Sequence, residues 1–305
     1  LLSHQIKAIP LLDSKNRLVA VALHSKSKFK LKNKLIGEES PTFIIAEIGN
    51  NHNGSLDLAS EMIDKAIESG ADCVKFQMRN MDELYGNSKS KNKEKADLGT
   101  QYTLELLSKF QLTDAEMFKA FDYCERKGVI ALCTPWDLSS LKKLEGYNLP
   151  AYKIASADFT NYELIDEVAR LGKLMFCSTG MATENEVRDG IRHLNKNGCP
   201  FILLHCNSTY PAPFKDINLN YIKHLKKLSG GIVGYSGHER GINISIAAVS
   251  LGAKVIEKHF TLDKEMEGVD HKVSLLPEEF NRMVEGIRQV EESMADVTER
   301  RISQG

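Results

Sequence analysis

The sequence predicts a (β/α)8 barrel, with an N-terminal hairpin ahead of it, and three observations predict it. Eight short apolar runs rich in Val, Ile and Phe follow one another from residue 42 onward. Each is followed by a helix-like segment, and each ends in polar residues able to do chemistry. Strands covered on both faces read as nearly continuous apolar runs. In such barrels the site sits at the carboxyl ends of the strands. The competing architecture, a doubly wound open sheet, has fewer strands and a glycine-rich first turn, and EIGNNHNG lacks the G-x-G-x-x-G spacing.

Taken in chain order, IPLLDSKNRLVAVALHS (9–25) reads as two short strands around a DSKNR turn and resembles the tail of a CBS-type module. Residues 1–27 are therefore set apart as an N-terminal extension. The stretch 28–40, containing FKLKNKLIGEES, reads as a hairpin that plugs the barrel bottom. The strand runs are TFIIAEIG (42–49), ADCVKFQ (71–77), VIALCTP (129–135), AYKIAS (151–156), LMFCST (174–179), FILLHC (201–206), GIVGYS (231–236) and KVIEKHF (254–260). Between them, LDLASEMIDKAIESG puts Leu56, Leu58, Met62, Ile63 and Ile67 on one stripe and ends at Gly70, an expected C-cap. DAEMFKAFDYCERKG opens with an acidic turn and stops at Gly128, and Pro277 stands near the start of the last helix. Residues 78–110 form a long polar insertion on the side where a lid would sit. The barrel is assigned to 28–297, and 298–305 reads as the start of a linker.

Composition narrows the function. Forty basic and forty-one acidic residues leave a net charge of −1, which argues against nucleic acid or an anionic membrane as partner. No run of eighteen apolar residues exists to span a bilayer. The opening LLSHQIKAIPLLD lacks Met and the basic-then-apolar layout of a secretory signal, so a cytoplasmic protein is expected. The six cysteines include no C-x-x-C and read as small buried hydrophobes of a reducing compartment.

The strand ends carry the chemistry. They offer Glu47, Asn51 and His52; Lys75 and Gln77; Thr134 and Asp137; Lys153 and Ser156; Ser178 and Thr179. The last three offer His205, Asn207, Ser208, Thr209 and Tyr210; Ser236 and His238; Glu257 and His259. Lys75 and Lys153 lie inside apolar runs, where an unpaired ammonium is costly. They either pair with a buried carboxylate such as Glu47 or Glu257, or form an anion clamp with the hydroxyls of Ser156, Ser178, Ser208 and Ser236. Two lysines and four hydroxyls suit a phosphate together with a carboxylate. His238 and His259, from neighbouring strands, suit two ligands of Mn²⁺, Zn²⁺ or a similar ion whose open positions polarise a carbonyl. The other reading of the pair is one hydrogen-bonded core histidine and one general acid.

The motifs FIIAEIGNNHNG, VKFQ, CTPWD, YKIASAD, STGMAT, LLHCNSTYPAP, GYSGHERGI, IEKHFTLD and GVDHKVSL, in this order over residues 28–297, resemble the sialic acid synthase family. The resemblance implies condensation of phosphoenolpyruvate with the aldehyde of an N-acetylmannosamine-type aminosugar, giving a nonulosonic acid and phosphate by C–O cleavage. It implies Mn²⁺ or Mg²⁺ held by His238 and His259, with phosphoenolpyruvate held by Lys75, Lys153, Ser156, Ser178 and Ser236. Thr134 and Ser208 are counted with the substrate-binding positions. Glu47, Gln77, Tyr210 and Asp270 are implied at the sugar or the reacting centre, and Glu257 as acid/base or water-orienting group. A homodimer is implied too. Two departures stand out. Ser208 replaces an Asn common in sialic acid synthases proper, which points toward legionaminate, pseudaminate or spore-coat sugars. The chain also stops at Gly305, before the antifreeze-like domain that donates an Arg to a partner's site. Rival readings are an octulosonate-phosphate type of synthase, a metal-dependent hydrolase, and a regulatory barrel that binds phosphoenolpyruvate or a sugar phosphate with little turnover.

Overall fold

Eight parallel strands close on one another in the computed structural model, which describes residues 8–13, 16–23, 28–85 and 104–294. Two antiparallel pairs come first: β1 (Ala8–Leu12) with β2 (Leu18–Leu23), and β3 (Lys28–Leu31) with β4 (Lys34–Gly37). The barrel follows as β5 (Phe43–Gly49), α1 (Leu56–Glu68), β6 (Cys73–Met78), α2 (Met81–Tyr85), α3 (Leu104–Lys109), α4 (Asp114–Lys127), β7 (Ile130–Pro135) and α5 (Leu138–Tyr147). It continues with β8 (Ala151–Ile154), α6 (Tyr162–Arg170), β9 (Leu174–Ser178), α7 (Glu184–Asn197), β10 (Phe201–Cys206) and α8 (Tyr221–Ser229). It ends with β11 (Val233–Gly237), α9 (Asn243–Ser250), β12 (Val255–His259) and α10 (Pro277–Ser293). The ring runs β5 to β12 in chain order, and β12 pairs with β5 to close it. This is the predicted (β/α)8 barrel with an N-terminal hairpin.

Local chemistry explains where the helices start and stop. Thr113 and Thr183 each form a capping box with a Glu three residues on, Glu116 and Glu186, and so satisfy first-turn N–H groups that have no partner in the helix. Gly128 closes α4 with φ of 77°, a left-handed conformation that costs glycine little. At α1 the cap is Ser69, and Gly70 is one residue beyond it, against the sequence expectation.

Alternation along the strands divides the molecule into two cores. Residues turned outward, such as Ile44, Ala46, Val74 and Ile256, pack against the helices. Those turned inward at the lower end, Phe43, Ile45, Cys73, Ile130, Leu132, Phe176, Ile202, Leu204 and Val255, form a second cluster with Leu31 and Ile36 of the hairpin. The hairpin therefore does plug the bottom. One layer further up, the inward positions become polar. Residues 86–103 of the predicted insertion and the predicted linker 298–305 lie outside the described residues, as do parts of the extension 1–27.

Candidate active site

A cavity of about 330 Å³ opens at the carboxyl ends of the strands. All fourteen residues assigned to the site from sequence line it: Glu47, Lys75, Gln77, Thr134, Lys153, Ser156, Ser178, Ser208, Tyr210, Ser236, His238, Glu257, His259 and Asp270. For those on the strands, parity is the reason; Ser156, Ser208, Tyr210 and Asp270 come from the segments that follow the strands. Residues 75 and 77 on β6, 257 and 259 on β12, and 236 with 238 at the end of β11 are two apart, so each pair points the same way.

Glu257 sits at the centre of the charge array. Its Oε1 lies 3.8 Å from Nζ of Lys75 and 3.8 Å from Nζ of Lys153. The same oxygen accepts the hydroxyl of Ser236 at 3.0 Å. Lys75 also stands 2.7 Å from Oε2 of Glu47 and donates to Oγ1 of Thr134 at 3.1 Å. Both sequence readings of the lysines therefore meet here: Lys75 is paired with a buried carboxylate, and both ammonium groups face one cavity. Gln77 is fixed from both ends, donating to Glu47 at 2.7 Å and accepting from Arg79 at 2.6 Å and Trp136 at 3.2 Å. Oγ of Ser178 is buried and has no hydrogen-bond partner among the described residues.

The two carboxyl groups are pushed apart. Burial raises Glu47, and the neighbouring charge of Glu257 adds to it, against the pull of Lys75. Burial acts to raise Glu257 too, but Lys153 and Lys75 outweigh it and hold the group below its ordinary value. Glu47 is thus the better proton donor and Glu257 the better acceptor. Burial lowers Lys153, whereas the carboxylates overcome burial and raise Lys75.

The imidazoles converge on one point. The hydroxyl of Tyr210 is 2.7 Å from Nε2 of His238 and 3.4 Å from Nε2 of His259. Nδ1 of His238 lies 2.7 Å from the carbonyl of Asn207, so its proton sits there and Nε2 carries the lone pair. Nδ1 of His259 faces Asp270 at 3.9 Å, and burial, with His238 adding to it, holds this ring well below its usual pKa, hence neutral. Burial acts to lower His238 too, but Cys206 outweighs it and raises this ring, so a cation here would displace a proton from His238 and not from His259. With both Nε2 atoms turned to one position, the pair suits a divalent cation. No group of three or more His, Cys, Asp or Glu side chains among the described residues is arranged to hold one alone, so water or substrate oxygens would complete the shell.

Several polar residues near the strand ends do not reach the cavity. Asn51 donates to the Phe260 carbonyl and to Ser274, both at 2.9 Å, and Asp137 caps α5. His205 lies 2.7 Å from the Ile217 carbonyl through Nε2, facing away from the barrel axis. Conversely, Arg79, Trp136, Tyr85, Leu107, Met181 and Cys206 line the cavity without having been assigned to it. The Arg79 guanidinium lies 4.6 Å over the Trp136 ring. All six cysteines are buried thiols, as expected, with Cys206 additionally 3.6 Å from Nδ1 of His238. No helix among the described residues is long and apolar enough to cross a membrane.

Residues 62–299 match the NeuB family. An uncharacterized protein of Methanocaldococcus jannaschii is 44% identical over 268 residues, which span 88% of this chain and 76% of that one. The N,N'-diacetyllegionaminic acid synthase of Campylobacter jejuni is 41% identical over 260 residues, 84% of this chain and 78% of the relative. Among solved structures, the N-acetylneuraminic acid (sialic acid) synthetase of Leptospira borgpetersenii, in complex with citrate, aligns with a TM-score of 0.83 at 33% identity, covering 90% of this chain and 93% of that one.

Proposed function

This chain belongs to the NeuB family, and from that premise we propose that it condenses phosphoenolpyruvate with the aldehyde of an N-acetylated aminosugar of the mannosamine type. The product is a nine-carbon nonulosonic acid, released with inorganic phosphate. The observation that carries this reading is the placing of Lys75 and Lys153, each 3.8 Å from the same oxygen of Glu257, in the cavity that also holds His238 and His259. A ligand with a phosphate and a carboxylate at one end answers the two ammonium groups. The buried hydroxyl of Ser178, with Ser156, Ser208, Ser236 and Thr134, supplies the remaining donors.

Bond changes follow from the reactants. C3 of phosphoenolpyruvate attacks the aldehyde carbon, the aldehyde oxygen takes up a proton, and C2 becomes electron-poor. Water adds to C2, and the hemiketal phosphate then breaks its C2–O bond, so the bridging oxygen leaves with phosphate and a ketone remains. Glu47, paired with Lys75 and the carboxyl whose proton affinity burial raises, passes on the first proton. Glu257, held ionised by the lysines, accepts the proton of the water. Gln77 and Asp270 line the same wall and orient the sugar, with Tyr210 between the imidazoles. A divalent cation, Mn²⁺ or Mg²⁺, held by His238 and His259, would supply Lewis acidity for the aldehyde oxygen.

The test is phosphate release from phosphoenolpyruvate with Mn²⁺ and a panel of N-acetylmannosamine, its 6-phosphate and diacetamido hexoses. Release that depends on one of these sugars is expected. Measurable phosphoenolpyruvate binding with no release on any sugar would instead establish a binding barrel.

A further inference from the structure

Behind the two imidazoles lies an ion pair that the chemistry above does not use. Lys258 and Glu239 are both 0% exposed. Lys258 donates to Oε1 of Glu239 at 2.8 Å and also to the Glu239 carbonyl. Tyr235, equally buried, donates its hydroxyl to Oε2 at 2.6 Å. Both carboxylate oxygens of Glu239 are thus held. The cluster is also tightly enclosed: a Cβ on Gly237 would stand 2.8 Å from Oε2 of Glu239 and 2.8 Å from Cε1 of Tyr235.

Alternation along β12 turns Glu257 and His259 into the barrel, and so turns Lys258 out of it toward the helices. Its neighbours on that face, Ala46 and Ile256, are apolar. A buried ion pair there contributes little more stability than apolar side chains of the same volume. Stability therefore does not account for it. Its geometry does, because Glu239 directly follows His238 and Lys258 directly precedes His259. Ser236 and Glu257 join the same two strands on the inner face at 3.0 Å. With Gly237 paired to Lys258 in the sheet, β11 and β12 are tied on both faces just where the imidazoles project.

We propose that Tyr235, Glu239 and Lys258 are positioning residues that set the separation of the His238 and His259 rings, and through it the fit of a divalent cation between them. The inference rests on the reading of these two imidazoles as cation ligands. Side chains that orient metal-binding histidines typically change metal affinity or activity by about 10- to 100-fold when replaced.

The experiment is Mn²⁺ titration of the full chain, read by the electron paramagnetic resonance of free Mn²⁺, with thermal unfolding of the metal-free protein beside it. The variants are Glu239→Gln, the double variant Glu239→Gln/Lys258→Met, and Lys258→Arg. The double variant removes both charges together, so neither is left buried alone. Mn²⁺ affinity is expected to fall about 10- to 100-fold in the first two, while the metal-free melting temperature of the double variant stays near that of the parent and that of Glu239→Gln falls, because it leaves the Lys258 ammonium buried alone. Lys258→Arg, which keeps charge and donors, is expected to retain affinity. Unchanged affinity in the folded double variant, or in Glu239→Gln where the double variant does not fold, overturns the proposal. His238→Ala separates the two layers of the argument: parent-like Mn²⁺ binding in that variant overturns the two-imidazole site itself, and the positioning role with it.

Discussion

Nζ of Lys75 lies 2.7 Å from Oε2 of Glu47, in an ion pair whose side chains are only 4% and 2% exposed. A pair so placed puts an ammonium group in the cavity without leaving it uncompensated before a ligand arrives. It also keeps Glu47 within reach of a reacting oxygen. Glu47→Gln keeps the shape and removes the carboxylate through which the proton passes. The expected outcome is a drop in kcat of roughly 10²- to 10⁴-fold, with the KM for phosphoenolpyruvate no higher than in the parent, because Lys75 loses a competing anion. Steady-state phosphate release measures both, and a parent-like kcat would remove Glu47 from the chemistry.

His238 and His259 approach the Tyr210 hydroxyl at 2.7 Å and 3.4 Å. His238→Ala and His259→Ala are each expected to abolish metal-stimulated turnover while the circular dichroism spectrum and melting of the metal-free protein persist. Activity assayed across a Mn²⁺ titration checks this. Full stimulation in either variant would contradict the paired role.

Much of this site is legible from parity. On β10 the inward residues are 202, 204 and 206, so His205 points outward although it stands at a strand end. On β9, residues 176 and 178 face in and Thr179 does not. The same count, continued past β6 from 75 and 77 to 79, would have found Arg79, and on β10 it would have found Cys206. Parity stops where the chain leaves the strand. Tyr85, Leu107 and Met181 come from segments with no period of two, and nothing in their spacing marks them as cavity wall. Asn51 and Asp137 show the opposite case: polar residues beside the site that hold loops and helix ends rather than ligand. The barrel itself was legible because its strands are apolar throughout while the helices between them are amphipathic.

Lys153 is 3.8 Å from Glu257, and its Nζ donates only to the Ile154 carbonyl, at 3.2 Å, among the described hydrogen bonds. Burial lowers its pKa, and an arriving anion would offset that effect. Lys153→Ala removes a charge-assisted contact of about 1.5–3 kcal/mol. That corresponds to an increase of roughly 10- to 150-fold in the phosphoenolpyruvate concentration required. Isothermal titration with phosphoenolpyruvate alone gives the number, and an unchanged affinity would exclude Lys153 from the clamp.

Ile36 of the hairpin is fully buried against the lower interior of the barrel. Ile36→Ala leaves a void there and should cost about 2–5 kcal/mol of stability. The cavity at the other end of the strands is untouched, so KM values should hold under conditions where the variant is folded. Urea unfolding alongside kinetics at low temperature tests this separation of a stabilising bottom from a reactive top.

Acid lability follows from buried histidines, of which His52 and His271 lie outside the proposed cation site. Burial lowers both His52 and His271 from 6.5 to about 4. The folded protein keeps both rings neutral as pH falls through 6.5, while the unfolded chain binds a proton at each. Protons then favour the unfolded state, and stability declines from about pH 6.5 downward until the folded rings titrate near pH 4. Between pH 7 and pH 5 each ring should account for a loss of about 2 kcal/mol. Carboxylates held low, such as Glu184 at about 2, where hydrogen bonding from His224 is the main cause, add their loss only below pH 4.5. His205 and His259, also lowered by burial, act in the same direction. Urea midpoints at pH 7, 6 and 5 should therefore fall steadily, and His52→Gln should remove about 2 kcal/mol of the loss between pH 7 and pH 5. A flat profile from pH 7 to pH 5 would show that these rings are protonated in the folded protein, with partners that the present geometry does not contain.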